Sequence, residues 1–253
     1  MKRIYLDRSD CGIEKGVISV RGDTFHYLAN LLRMKEGDIF SGFDGTGFEH
    51  SIKIFSVGKE HITAFILESK KIFDAELPFI LHLFQGIPKR GKMDSIVRDV
   101  AQLGARKITP LLSERVIGSL NPERMTGKKE RWEKIAAESS RIAGRQVVTG
   151  ITDFLRFEDA VRIRADISMV FWEKAIIPLR EIMRNLPGLN TDAYVKIFVG
   201  PEGGFTDEEI SMAEGHGAVP VSMGKRILKV ETASVIAAAL TIYELEDRFP
   251  SRM

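Results

Sequence analysis

A single cysteine, Cys11, occurs in 253 residues, which excludes an internal disulfide and any zinc site built on thiolates. Histidine is sparse too. His26, His50, His61, His82 and His216 are scattered, without the H-E-x-x-H spacing that sets two imidazoles on one helix face, so no metal is expected. No apolar run approaches the ~20 residues of a membrane span. The opening MKRIYLDRSD carries charges but no apolar signal region, and the expected location is cytoplasmic, away from membranes. Excess charge is lacking as well, since a net +2 cannot by itself argue for a nucleic-acid partner. The distribution says more. Pro88 to Arg145 holds 14 Lys/Arg against 7 Asp/Glu, which suggests a patch facing a polyanion. A solvated helix face laced with pairs such as Glu130 and Lys134 is the competing reading.

What the chain does have is apolar material for sizeable cores, 44% of its residues, and a length that suits two domains. Its most informative stretch is Val195–Leu245. Val195–Val199 is short, apolar and rich in β-branched residues, the pattern of a buried strand. Gly200-Pro201-Glu202-Gly203-Gly204, with three glycines and a proline in five residues, cannot continue either a strand or a helix. Thr206-Asp207-Glu208-Glu209 then has the spacing of a capping box, worth about 1 kcal/mol. A second unit repeats the layout: strand Val219–Met223, a polar loop Gly224–Val230, and the apolar helix Glu231–Leu245. Its stretch Thr232–Ala239, made of small or branched side chains, reads as packed on several sides, with no wet face. Such strand-to-helix turns set free N–H groups at the carboxyl edge of a sheet, where open α/β proteins bind ligands. Two ordinary βα turns would give the same local pattern. The crowding of Lys225, Arg226, Lys229, Glu231 and Thr232 between two buried elements argues for more, because ionisable groups there need partners. Neither a P-loop nor the G-x-G-x-x-G fingerprint is present, and Glu202 in the turn favours a neutral or cationic ligand over a phosphate.

Upstream, Phe79–Phe84 reads as a buried strand and Lys92–Leu103 as an amphipathic helix stopped by Gly104. Strands Lys107–Leu112 and Met169–Trp172 and helices Pro122–Ala143 and Ile176–Leu186 follow. Strands alternating with helices predict a parallel sheet covered on both faces. The first seventy residues differ. Short runs at Ile4–Leu6, Val17–Val20, Asp38–Phe43, Glu49–Val57 and His61–Leu67 are broken by turns such as Asp44-Gly45-Thr46-Gly47, with one helix at Thr24–Met34. This predicts a small β-barrel. Ser69–Pro78, charged and ending in proline, is the linker. The domains are read as 1–72 and 73–253.

GPEGGFTDEEI followed by MGKRILKVETA resembles the paired signature of the SPOUT methyltransferases, most closely the 16S ribosomal RNA uracil-N3 methyltransferase family. The resemblance extends to GIPKRGKMDSIVRDVAQLGARKITPLLSERV and ERWEKIAAESSRIAGRQVV, and to HYLANLLRMKEGD with Phe43-Asp44-Gly45, which is similar to the family's amino-terminal PUA-like RNA-binding domain. It implies an α/β SPOUT domain with a carboxyl-terminal trefoil knot, preceded by a PUA-like β-barrel. Connection rules alone would never propose a knot. Three departures stand out: Gln102 where the family has Glu, Arg141-Ile142-Ala143 before Gly144-Arg145 where it has Glu-Gln-Ser-Gly-Arg, and Lys229 where it has Arg. The last keeps charge but loses the bidentate fork. These departures leave the exact target nucleotide open.

The resemblance implies methyl transfer from S-adenosylmethionine to uridine N3 in the 16S RNA, either free or within the 30S subunit. Another RNA target and a non-catalytic RNA-binding relative remain as alternatives. It carries over Gly200, Pro201, Glu202, Gly203, Gly204, Met223, Gly224, Ile227, Leu228 and Thr232 as the adenosyl pocket, with Glu173 at its margin. Uracil N3 must lose a proton during attack, so a base and a cation beside the ring oxygens would lower the barrier. Arg226 and Lys229 are the candidate cations and Glu231 the candidate base. A first-turn carboxylate satisfying helix N–H groups is the simpler account of Glu231. Arg33, Lys35, Lys89, Arg90, Lys92 and Arg145 are the candidate RNA contacts. A homodimer is implied, since the last helix is more apolar than one small sheet should require.

Overall fold

A computed structural model describes residues 2–7, 9–72, 75–89, 91–116, 122–186 and 188–249, with the backbone alone at 122–126. The chain forms two compact units, Met1–Glu76 with Gly144–Val148, and Leu77–Ala143 with Thr149–Met253.

In the first unit, strands β1 (Arg3–Tyr5), β2 (Cys11–Glu14), β3 (Val17–Val20), β4 (Ile39–Phe43), β5 (Phe48–Val57) and β6 (Ile62–Lys71) form one sheet of order β1-β4-β5-β6-β3-β2. The pair β1–β4 is parallel and the other pairs are antiparallel. Its edges β1 and β2 do not pair among the described residues, so the expected barrel is a half-barrel. Ile18, Phe40, Ile52, Ile54 and Ile62 fill its inner face with Leu28. The β4–β5 turn works as its residues dictate: the Asp44 carboxylate accepts from the Thr46 N–H at 2.9 Å and hydroxyl at 2.6 Å. The helix expected over Thr24–Met34 is instead α1 (Gly22–His26) running into a π turn at Tyr27–Leu31.

Arg145 belongs to this unit and is 1% exposed. It donates to Glu76 at 2.9 Å, and Glu76 also accepts from the N–H groups of Gln146 and Val147 at 3.1 and 3.0 Å. Arg3 donates to the Arg145 carbonyl. The expectation that Arg145 meets an RNA phosphate is therefore corrected. Its guanidinium is consumed in the interior, where a lone charge would be costly.

In the second unit, β7 (Ile80–Gly86), β8 (Lys107–Leu112), β9 (Gly150–Ile151), β10 (Leu155–Arg156), β11 (Ile167–Phe171), β12 (Tyr194–Val199) and β13 (Val219–Val221) make a wholly parallel sheet of order β10-β8-β7-β12-β11-β13, with β9 also on β8. Central strands buried on both faces need continuous apolar runs, as in β7 and β12. One face carries α2 (Met93–Gln102), α3 (Pro122–Ile142), α5 (Leu179–Arg184) and α7 (Val230–Glu246). The other carries α4 (Phe157–Arg162) and α6 (Asp207–Gly215) over a cluster that includes Phe84, Phe157, Phe198 and Phe205. The expected three-layer α/β arrangement is present. Helix α7 buries one stripe, Val230, Ser234, Ala237, Ala238, Thr241, Ile242 and Leu245, but leaves Leu240 and Tyr243 exposed. A helix turning every 3.6 residues cannot bury all sides on one sheet, and within Thr232–Ala239 the expectation of no wet face fails at Thr232, which is exposed.

Two polar groups inside the sheet are satisfied locally. Lys196 donates to the Ala160 and Val161 carbonyls at 3.2 Å and to that of Ile163, closing the end of α4; burial pushes its pKa down to about 8. His82 lies between the Tyr194 hydroxyl at 2.5 Å and the Thr109 hydroxyl at 2.6 Å. Burial first, and then the nearby Lys107 and Lys196 cations, lower its pKa to about 3, so it stays neutral.

Candidate active site

Strands β12, β11 and β13 lie side by side and parallel, so their carboxyl ends open onto one edge. A cavity of about 250 Å³ occupies that edge. Phe171, Trp172 and Glu173 come from the end of β11, and Val199 with the glycine turn Gly200–Gly204 from the end of β12. Met223, Gly224, Arg226, Ile227 and Leu228 come from the loop after β13, and Val230 and Ala233 from the first turn of α7. Two loops separated by a whole βα unit thus meet in one pocket, as the repeated layout requires.

The turn is shaped by close backbone approach. Gly204 has φ +68, and a Cβ there would sit 3.0 Å from Glu173 Oε1; a Cβ on Gly86 would lie 2.5 Å from Pro201 Cδ. Gln85, fully buried at the end of β7, donates to the Gly86 carbonyl at 2.9 Å and accepts from the Ser234 hydroxyl of α7 at 2.5 Å. Arg115 donates to the Gly203 carbonyl at 2.5 Å. Both α6 capping-box bonds form, Glu209 N–H to the Thr206 hydroxyl at 3.2 Å and Thr206 N–H to the Glu209 carboxylate at 3.0 Å.

Charge is organised by Lys92. Its ammonium lies 3.0 Å from Glu202 and 3.5 Å from Glu231, bridging the glycine turn and the first turn of α7, while the Lys89 N–H donates to both Glu202 oxygens at 3.1 Å. Burial pushes the Glu202 carboxyl up, but the hydrogen bonds from Lys92 and the backbone outweigh it and leave its pKa below the usual value. The hydrogen bond to Glu202 raises that of Lys92.

Of the residues expected at a cofactor, all but Thr232 line the pocket; Thr232 is exposed and Val230 and Ala233 take its place. Of the three expected catalytic groups only Arg226 lines it. Lys229 is the exposed N-cap of α7, and Glu231 turns to Lys92. Lys92 itself, a candidate RNA contact, pairs with two carboxylates. Arg33, Lys35 and Lys89 are exposed, and Arg90 lies outside the described residues. Phe171, Trp172, Val199, Gln85 and Arg115 were not anticipated. The strand-end residues had a signal, since the last positions of apolar strands before polar loops face this edge. A glutamine closing the run of β7 was another.

The lining suits an adenosyl group carrying a cationic centre. Phe171, Val199, Ile227 and Leu228 give apolar walls, the glycine turn gives backbone polar groups, and Glu173 and Glu202 give negative charge. Trp172 Nε1 is enclosed and has no hydrogen-bond partner among the described residues.

Comparison with known proteins agrees with this geometry. Residues 75–242 match the family described as RNA methyltransferase domain, and residues 20–67 the RNA methyltransferase PUA domain. The ribosomal RNA small subunit methyltransferase E of Bacillus subtilis is 28% identical over 97% of this chain and 98% of the relative. That of Synechocystis is 32% identical over 90% of this chain and 73% of the relative. The crystal structure of the Neisseria gonorrhoeae enzyme of that name, bound to S-adenosyl methionine, is 26% identical; it covers 95% of this chain and 96% of its own, with a TM-score of 0.80. The chain belongs to the RNA methyltransferase family that includes the proteins named ribosomal RNA small subunit methyltransferase E.

Proposed function

We propose that the chain transfers a methyl group from S-adenosylmethionine to N3 of a uridine in the 16S RNA of the small ribosomal subunit. One observation carries this reading: both glycine-bearing loops line a single pocket with apolar walls and two carboxylates. When bound, the sulfonium supplies an activated methyl group. The chain's own task is alignment, which can account for several kcal/mol of barrier. The strand ends and glycine turn hold the adenosyl portion, and Glu202, fixed by Lys92 and the Lys89 N–H, holds the first loop in place. Arg226, on the second loop, is the cation placed to steady the uracil oxygens as N3 loses its proton, with Lys229 as a second charge on that loop. Glu231 faces the Lys92 ammonium at 3.5 Å, with that oxygen enclosed and without a hydrogen-bond partner among the described residues, which suits positioning of charge better than accepting the proton.

The first unit is assigned to RNA docking, with Arg33 and Lys35 as phosphate contacts, and the second to methyl transfer. The strand order, with β13 beyond β11 and α7 returning over β7 and β12, is compatible with the SPOUT knot. The exposed apolar residues of α7 suit a homodimer working in the cytoplasm. Incubation of the protein with labelled S-adenosylmethionine and either 16S RNA or whole 30S subunits, followed by nuclease digestion and mass mapping, tests the reading. A single N3-methyluridine is expected in 16S RNA; label on another nucleotide or no transfer overturns it.

A further inference from the structure

The outer face of the first unit's sheet carries an apolar surface that the cofactor pocket does not explain. Side chains that pair across strands share a face. The register Ile39–Lys53–Phe65–Val17–Glu14 therefore defines one row across β4, β5, β6, β3 and β2. The alternate residues Ile18, Ile52, Ile54 and Ala64 are buried at 0–1%, so this row is the outer one. Phe65 stands in it 41% exposed.

Two bulges enlarge the patch. The β5–β6 register shifts between Ile54 and Ser56, which face the consecutive Ala64 and Thr63, so Phe55 is an extra residue. It shifts again between Ser51 and Ile52, which face Glu68 and Ile66, so Leu67 is extra on β6. Bulges re-aim side chains, and here both extra residues are outward and apolar: Phe55 is 56% exposed and Leu67 55%. The Phe55 and Phe65 rings meet edge to face at 5.3 Å. Exposed aromatics clustered on a sheet are unusual on a surface without a partner.

Charge identifies the occupant. Lys53 lies in the same row beside Phe65. The turn holding Lys35 is bonded to the strand at the bulge, Gly37 N–H to the Ile54 carbonyl and Ile54 N–H to the Asp38 carbonyl, each at 2.9 Å. Lys35 and Lys53 are both exposed, and neither has an ion-pair partner among the described residues. Glu14 is at the far end of the row, away from the two rings. Aromatic rings bordered by lysines match an unpaired polynucleotide, whose bases stack while its phosphates meet the ammonium groups.

We propose that this outer face is a stacking platform for unpaired bases of the RNA substrate, with Phe55 and Phe65 supplying the rings and Lys35 and Lys53 holding phosphates. The proposal rests on the RNA methyltransferase reading and adds where single-stranded RNA is gripped. It is tested on the full chain by fluorescence anisotropy with a uridine-rich 12-nucleotide RNA and with an abasic strand of the same length. The wild type should bind the base-bearing strand more tightly than the abasic one. Phe55→Ala/Phe65→Ala should weaken the first by roughly tenfold or more and erase the difference. Phe55→Trp should retain binding, with indole fluorescence quenched as bases stack. Equal affinities of the double variant and wild type for the base-bearing strand overturn the proposal. So does a change in sedimentation without a change in RNA affinity, which would assign the face to a second copy. Calorimetry with S-adenosylhomocysteine runs alongside. Unchanged cofactor binding with no stacking effect sinks only the platform, whereas absent cofactor binding in the wild type sinks the methyltransferase reading.

Discussion

A lysine shared by two carboxylates from different elements does more than hold one charge pair. Lys92 spans Glu202 of the glycine turn and Glu231 of the first turn of α7, so it sets the spacing of two segments that border the pocket. Lys92→Met leaves two negative groups facing one another and should weaken binding of S-adenosylhomocysteine several-fold in calorimetry. Lys92→Arg, which keeps charge and reach, should recover part of it. The pH profile separates this from a general loss of packing. Glu202 has a lowered pKa, so the link survives below the ordinary carboxylate value of 4.5 and is lost as pH falls through the lowered one. Lys92 has a raised pKa, so at the alkaline end the link outlasts the ordinary lysine value of 10.5 and is lost as pH rises through the raised one. Its contribution should be level between these limits. Glu202→Gln should remove the acid limb; an acid limb unchanged in that variant counts against the link.

At the scale of an element, α6 shows how one side chain serves two structures. Thr206→Ala removes the acceptor of the Glu209 N–H and a hydroxyl donor to the Glu114 carboxylate at 3.1 Å, and should cost about 1 kcal/mol. Glu209 is 6% exposed, and it accepts from Thr206 N–H and, at 2.9 Å, from the Glu114 N–H beyond β8. Glu209→Ala should therefore cost more, about 2 kcal/mol, because two donors lose their acceptor. Urea unfolding of the two variants compares them, and a smaller loss for Glu209→Ala than for Thr206→Ala would count against its holding two backbone N–H groups. The capping box was legible in sequence because cap, helix and glycine turn are all local. The Thr232 expectation failed for a reason that helical spacing could have supplied: Val230, Ala233 and Ser234 lie on the inward side of α7, and residue 232 points elsewhere. The partners of Lys92 were not legible, since Glu202 is brought to it by β7 and β12 pairing, a non-local event with no trace in either stretch. Likewise, the bulges that turn out Phe55 and Leu67 depend on how β5 aligns with β6, which neither strand's own pattern states.

The whole molecule is less linear than its sequence suggests, because the first compact unit recruits Gly144–Val148 from beyond α3 of the second unit. Basic residues in a long positive stretch read as a surface patch, and only the fold shows that Arg145 turns inward to Glu76. With side chains 1% and 7% exposed, that pair is a buried ion pair. Its energetic value lies less in the attraction than in what remains when one partner goes. Arg145→Met should destabilise the first unit by about 3–5 kcal/mol, since Glu76 would be left charged without its cation. Glu76→Gln added to it should restore a large part, because an amide oxygen can still accept from Gln146 and Val147 N–H without burying a charge. Amide hydrogen exchange is the suitable measurement, as it reads each unit separately. Protection should fall in β1, β4 and β5 of the single variant while β7 and β12 keep theirs. Equal loss in both sets of strands would mean that Arg145 supports the chain as a whole rather than the first unit.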